Sequence, residues 1–94
     1  MIDEGTPCPE GVPEHLWGGV KRYILNGVRP GSWLSAFFAG DLFEVMARGD
    51  DEALAGLKAL TTVVVSQGPI GCRGSRERVD EWVARGGLRG IEGS

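Results

Sequence analysis

The turn Arg29-Pro30-Gly31-Ser32, with the apolar run Trp33–Met46 behind it, constrains the fold more than any other stretch of this chain. Proline cannot continue a helix arriving from the N-terminal side. Glycine opens backbone conformations that other residues avoid. Ser32 is placed to accept a hydrogen bond from a free N–H of a first helical turn. Beyond it, Leu34, Phe37, Phe38, Leu42, Val45 and Met46 recur at spacings of three and four. That spacing predicts one helix to about Arg48 with a single buried face. Gly40-Asp41 interrupts this face near its middle, so Asp41 is expected either to meet solvent or to be an acceptor with a partner.

The rest of the chain falls into place around that helix. Residues 1–12 mix proline, glycine and acids without periodicity, which predicts an irregular, flexible arm. Pro13 and Glu14 suit the first turn of a helix running to Asn26, with Gly27 as its left-handed cap. Leu16, Val20, Tyr23 and Ile24 share a face of that helix. The Gly18-Gly19 pair inside it marks a place where another backbone or a ligand comes close. Asp50 is an N-cap for a third helix over Asp51–Ser66. Ala53, Leu54, Leu57, Leu60, Val64 and Val65 form its stripe, and that spacing outweighs the β-branched character of Thr61–Val65. Ser75 caps a short fourth helix, Arg76–Arg85, with Val79, Trp82 and Val83 facing inward. Residues 88–94 are expected to be a loose, glycine-rich tail. The fold class is therefore all-α: a compact bundle of about four short helices over residues 13–87, with short connections that favour antiparallel neighbours.

A chain of 94 residues makes one domain with a small core, and self-association is a common remedy for marginal stability at this size. A homo-oligomer is the expectation. Net charge is −3, so no basic field draws nucleic acid, and the apolar second helix does not suit a DNA groove. Acids (Asp3, Glu4, Glu10, Glu14) crowd the start and arginines (Arg73, Arg76, Arg78, Arg85, Arg89) the end, so oligomerisation could join the two, or the arginines could line a site. Cys8 and Cys72 lie far apart without metal-ligand spacing. With no leader and no long apolar run, the expectation is a reduced, cytoplasmic protein off the membrane.

Pro13-Glu14, Arg22-Tyr23-x-x-x-Gly27-x-x-Pro30-Gly31-Ser32-Trp33-Leu34-x-Ala36, Gly40-Asp41-Leu42, Cys72-Arg73-Gly74-Ser75 and Val79-x-x-Trp82 follow one another in a distinctive order. Together they resemble a widespread family of small, uncharacterised bacteriophage proteins. In that family a helix ending "RYxxxG" precedes "PPGxFLxAVLxNDL" and, later, "CWGSPExVxxW". The resemblance covers roughly residues 12–87. Arg29, Gly40, Arg73 and Arg76 depart from the pattern, where Pro, Asn, Trp and Pro are usual. The resemblance implies phage origin, and by class a protein that acts on the bacterial host by blocking a host protein or sequestering a host signal.

Two helix starts are candidate anion sites. At the first, Arg29, Pro30, Gly31 and Ser32 present free N–H groups and a fixed charge. Lys21, Arg22 and Tyr23 could fold over them, and Trp17 or Trp33 could stack on a base. An ordinary capped turn would carry the same residues. At the second, Arg73, Gly74 and Ser75, with Arg76 and Arg78, could grip a phosphate held by another subunit. His15 and the pair Asp41/Glu44 are weighed as a base and as metal ligands and set aside. Nothing calls for catalysis, a metal or a cofactor. The leading expectation is a non-enzymatic protein that sequesters a small anionic host molecule, a cyclic or linear nucleotide immune signal. The alternative is a protein–protein interaction module that inhibits or regulates a host protein, motivated by the acidic N-terminal arm and by apolar residues off the buried stripe; one of Phe38 and Phe43 must lie off it and offers a hydrophobic oligomer face.

Overall fold

The computed structural model describes residues 2–92. It contains seven α-helices and one 3₁₀ turn, and no strand among the described residues. Met1 of the arm and residues 93–94 of the expected tail lie outside that range.

Helix α1 (Glu14–Asn26) ends at Gly27, whose φ of 68° is left-handed and whose N–H donates to the Tyr23 carbonyl at 2.9 Å. The Gly18-Gly19 pair serves packing: a Cβ on Gly19 would sit 3.2 Å from Leu34 Cδ1, so the missing side chain lets helix α2 (Ser32–Ala39) come close. Ser32 is not the cap. Gly31 occupies the cap position with no side-chain hydrogen bond, and Ser32 is the first helical residue.

The single long second helix is a misreading. Gly40 turns left-handed at φ 74° and closes α2, and Asp41 then caps a separate helix α3 (Leu42–Arg48) by accepting from Glu44 N–H at 3.2 Å. A glycine stop followed at once by an N-cap acid outweighs the continuous apolar spacing. The break turns the face over. Val45 is buried, whereas Leu42, Phe43 and Met46 are 62%, 85% and 52% exposed.

The expected third helix is likewise two. Asp50 caps α4 (Asp51–Ala55), accepting from Ala53 N–H at 2.8 Å, and α5 (Leu57–Gln67) starts directly after Gly56. A Cβ on Gly56 would lie 2.6 Å from Pro13 Cδ and 2.8 Å from Gly11 O, so the two segments cross there backbone against backbone. The break resets the helical phase, so Val63 is buried in place of Val65. The β-branched run is helical, and the Thr61 and Thr62 hydroxyls donate to carbonyls one turn back.

After the 3₁₀ turn Ile70–Cys72, Ser75 caps α6 (Arg76–Arg85) by accepting from Arg78 N–H at 3.1 Å. The expected loose tail is helical as far as it is described: α7 (Gly87–Glu92) packs on the end of α1. Gly27 and Gly87 meet with no room for a Cβ on either.

The core gathers Trp17, Val20, Tyr23 and Ile24 of α1 with Leu34 and Phe38 of α2. Leu60, Val63 and Val64 of α5 and Val79 and Trp82 of α6 complete it. The N-terminal arm is irregular but packed. Ile2 is buried and its N–H donates to Gln67 O at 3.1 Å, and Trp17 Nε1–H donates to Thr6 O at 3.1 Å. Helices α2 and α6 run antiparallel: Gly74 N–H, before α6, reaches Phe38 O at the end of α2, while Arg29, before α2, reaches Asp80 within α6.

Candidate functional site

Antiparallel packing of α2 against α6 sets the two candidate helix starts at opposite ends of the pair. Of the two candidate sets, only Arg29 and Arg76 line a common hollow. At the α2 start, Arg29 is exposed and its guanidinium pairs with Asp80 at 2.8 Å. Gly31 has open space around it, and Ser35 Oγ donates to Pro30 O at 3.1 Å. Arg29 shares a small hollow of about 90 Å³ with Ser35, Asp80 and Arg76.

The aromatic residues assigned to this site serve the interior. Tyr23 is fully buried and its hydroxyl donates to Cys72 O at 2.6 Å. Burial and the nearby Cys72 thiol push its phenol above the usual value. Trp17 is buried on the arm. Trp33 Nε1–H donates to Val45 O at 2.9 Å, and its ring stacks on Phe37 at 6.2 Å between centroids. Lys21 Nζ donates to Glu4 O at 3.1 Å, and with Arg22 it lines a separate hollow of about 320 Å³ beside Leu25 and Asn26. The crowding of acids at the start and arginines at the end finds a partnership within one chain, where Arg89 pairs with Glu4 at 2.6 Å.

The second candidate is built differently. Arg76 pairs with Asp41 at 2.8 Å. The Glu44 N–H bond, then Arg76, hold the Asp41 carboxyl below its ordinary range. Ser75 is spent on its cap. Arg73 is half-buried, and its Nε is enclosed with no hydrogen-bond partner among the described residues. It borders a hollow of about 200 Å³ together with Phe37, Phe38, Gly40, Thr61, Val64, Val65 and Gly74. Gly74, at φ 125°, adopts a backbone that a side chain would strain, which brings the loop tight against the end of α2. Arg73 thus puts a permanent cation beside a largely apolar hollow. An anion with an apolar body is what such a pair of features complements.

Phe37, Thr61 and Val65 belong to this hollow and were not legible as site residues. They come from α2 and α5, and no local spacing joins them to Arg73. A hollow of about 780 Å³ between the arm and helices α4 and α5 holds none of the candidate ligand-binding residues.

Cys72 is fully buried, and burial raises its thiol to about 11, so it is protonated at neutral pH. Cys8 is partly buried and donates to Val12 O at 3.2 Å; both cysteines are free. His15 is exposed, 3.6 Å from Glu52. Among the described residues no group of three or more His, Cys, Asp or Glu could hold a metal ion, and no helix is long and apolar enough to cross a membrane.

The chain matches no family model, no curated protein and no solved structure.

Proposed function

We propose that this chain is a non-enzymatic binding protein that captures a small anionic molecule, a cyclic or linear nucleotide signal of a bacterial host. On this reading it is a phage protein that removes the signal and so evades an antiphage defence. The observation that carries it is Arg73, whose enclosed Nε lacks an acceptor beside a hollow lined by Phe37, Thr61 and Val65. A buried donor without a partner costs about 1–3 kcal/mol, and more where the group is charged. If the Arg73 side chain turned to bring its guanidinium to the mouth of the hollow, a phosphate oxygen would supply the missing acceptor, and the apolar wall would receive part of a base. The hollow is smaller than a dinucleotide, so a nucleotide signal would extend beyond it, onto the surface or a second subunit. The resemblance to small phage proteins supplies the biological setting. Capture of this kind works by stoichiometry and needs no reacting group.

The test is mass spectrometry of small molecules released by heat, after the protein has been loaded with cyclic di- and trinucleotides and ADP-ribose derivatives and then desalted. An unaltered nucleotide at one per site supports capture. Empty protein across the panel removes the reading, and an altered product would show that the protein is an enzyme.

A second reading has its own observation. The face of α3 exposes Leu42, Phe43 and Met46 side by side, an arrangement typical of a surface that another protein covers. A protein–protein interaction module would use it, and a stoichiometric partner lost on Phe43→Glu substitution would favour that function.

A further inference from the structure

We infer that the hollow of about 320 Å³ on the outer face of α1 is a second anion site, in which the Glu4 carboxylate of the arm holds the place that a phosphate group would take. It shares no residue with the Arg73 hollow. Gly18, Lys21, Arg22, Leu25 and Asn26 recur along α1 at spacings of three and four and form its floor, and Glu4 borders it from the arm. Arg89 of α7 spans one end, with one guanidinium nitrogen donating to Asn26 Oδ1 at 2.9 Å and the other paired with Glu4 Oε1 at 2.6 Å. Three cations therefore gather around the one carboxylate that lines the hollow, in a chain whose net charge is −3. Their excess of two positive charges matches a phosphomonoester, which is a dianion above its second pKa of about 6. Among the described residues, the ion pairs leave Lys21 and Arg22 without a carboxylate. The neighbouring Asp3 spends its own on Gly5 N–H and the Thr6 hydroxyl. Gly18 keeps a cation on the floor: the Arg22 guanidinium folds back over it, and a Cβ there would lie 3.2 Å from Arg22 Nη1. An exposed pair such as Glu4 with Arg89 is weak, and Glu4 sits on an irregular segment, so it yields its place without breaking a helix. A phosphate offers three oxygens to the same donors and makes charge-assisted bonds to all three cations.

Titration of the full chain with inorganic phosphate, exchanged for chloride at constant ionic strength and followed by backbone amide NMR shifts, tests the proposal. Saturable shifts are expected at Gly18, Arg22 and Asn26. Arg22→Ala should keep the helical circular dichroism of the parent, because this exposed side chain pairs with no acid of its own chain, and should raise the phosphate Kd at least about 10-fold. Glu4→Gln should lower the Kd about threefold, because the resident charge is gone. Adenosine 5′-monophosphate serves as a second probe: tighter binding than phosphate assigns a nucleoside phosphate as the ligand, and equal binding assigns the phosphate group alone. Shifts that do not saturate overturn the proposal, as does a Kd unmoved by Arg22→Ala or weakened by Glu4→Gln. Arg73→Ala should leave this Kd unchanged, so failure of this site and failure of capture at Arg73 are read on different variants.

Discussion

The Tyr23 hydroxyl donates to the Cys72 carbonyl at 2.6 Å, tying the middle of α1 to the turn that launches α6. Trp82 returns the tie, its Nε1–H donating to Tyr23 O at 2.9 Å. Tyr23 is therefore a core post with a polar tip. Tyr23→Phe should cost about 1–3 kcal/mol in denaturant unfolding, because the Cys72 carbonyl is left buried without its donor. Nucleotide retention should be unchanged at temperatures where the variant is folded. A selective loss of retention with no loss of stability would return Tyr23 to the ligand site.

Gly27 and Gly87 make a second tie, backbone on backbone. A Cβ on Gly87 would lie 2.5 Å from Gly27 N and 2.8 Å from Ile24 O, and its φ of 71° is left-handed. Gly87→Ala should destabilise by roughly 2–4 kcal/mol, from left-handed strain together with overpacking. Gly31→Ala is the matched control, with nothing within 4 Å and a φ of −60°, and should stay within about 1 kcal/mol. Thermal denaturation of the two variants side by side checks both.

Arginines of this chain differ in what they already hold. Arg29 has Asp80, and Arg76 has Asp41, whereas the Arg73 Nε has no partner. Arg73→Ala should abolish retention of a captured anion on desalting, and Arg29→Ala should reduce it less than tenfold by titration calorimetry, since exposed pairs are worth about 1 kcal/mol or less. Arg73→Lys should not restore binding if the planar guanidinium is what the ligand reads.

The buried Cys72 thiol links stability to alkali. Its value is about 11 when folded, against the ordinary 9.0, so the unfolded chain releases this proton first as pH rises. Its contribution is fully present below pH 9 and is lost as pH climbs toward 11. Unfolding free energies measured from pH 8 to 11 should therefore fall, and Cys72→Ala should flatten its share of that slope. In the native protein at pH 8, iodoacetamide should modify Cys8 and spare Cys72, with both modified once the chain is unfolded.

Local signals marked most helix ends in the sequence. Asn26-Gly27, Asp50 and Ser75 each act within one turn, and each does in the structure what its chemistry predicts. The all-α class was legible for the same reason. Periodicity misled where a stop signal lay inside an apolar run. At Gly40-Asp41 the run continues across a break, so Leu42, Phe43 and Met46 keep helical spacing with Phe38 yet face the other way. At Gly56, the crossing of Pro13 resets the phase of α5.

Which helix begins, which ends and which face is greasy are properties of neighbouring residues, and the chain itself determined them. Whether a greasy face is covered, and whether an arginine finds an acid, depend on groups dozens of residues away. Arg29 meets Asp80 and Arg76 meets Asp41 because α2 and α6 pack antiparallel, and the Arg73 Nε has no hydrogen-bond partner among the described residues. Tyr23 and Trp17 pack in the core and spend their polar tips on Cys72 O and Thr6 O, so neither is left for a ligand. Those pairings follow from packing, which only the tertiary structure decided.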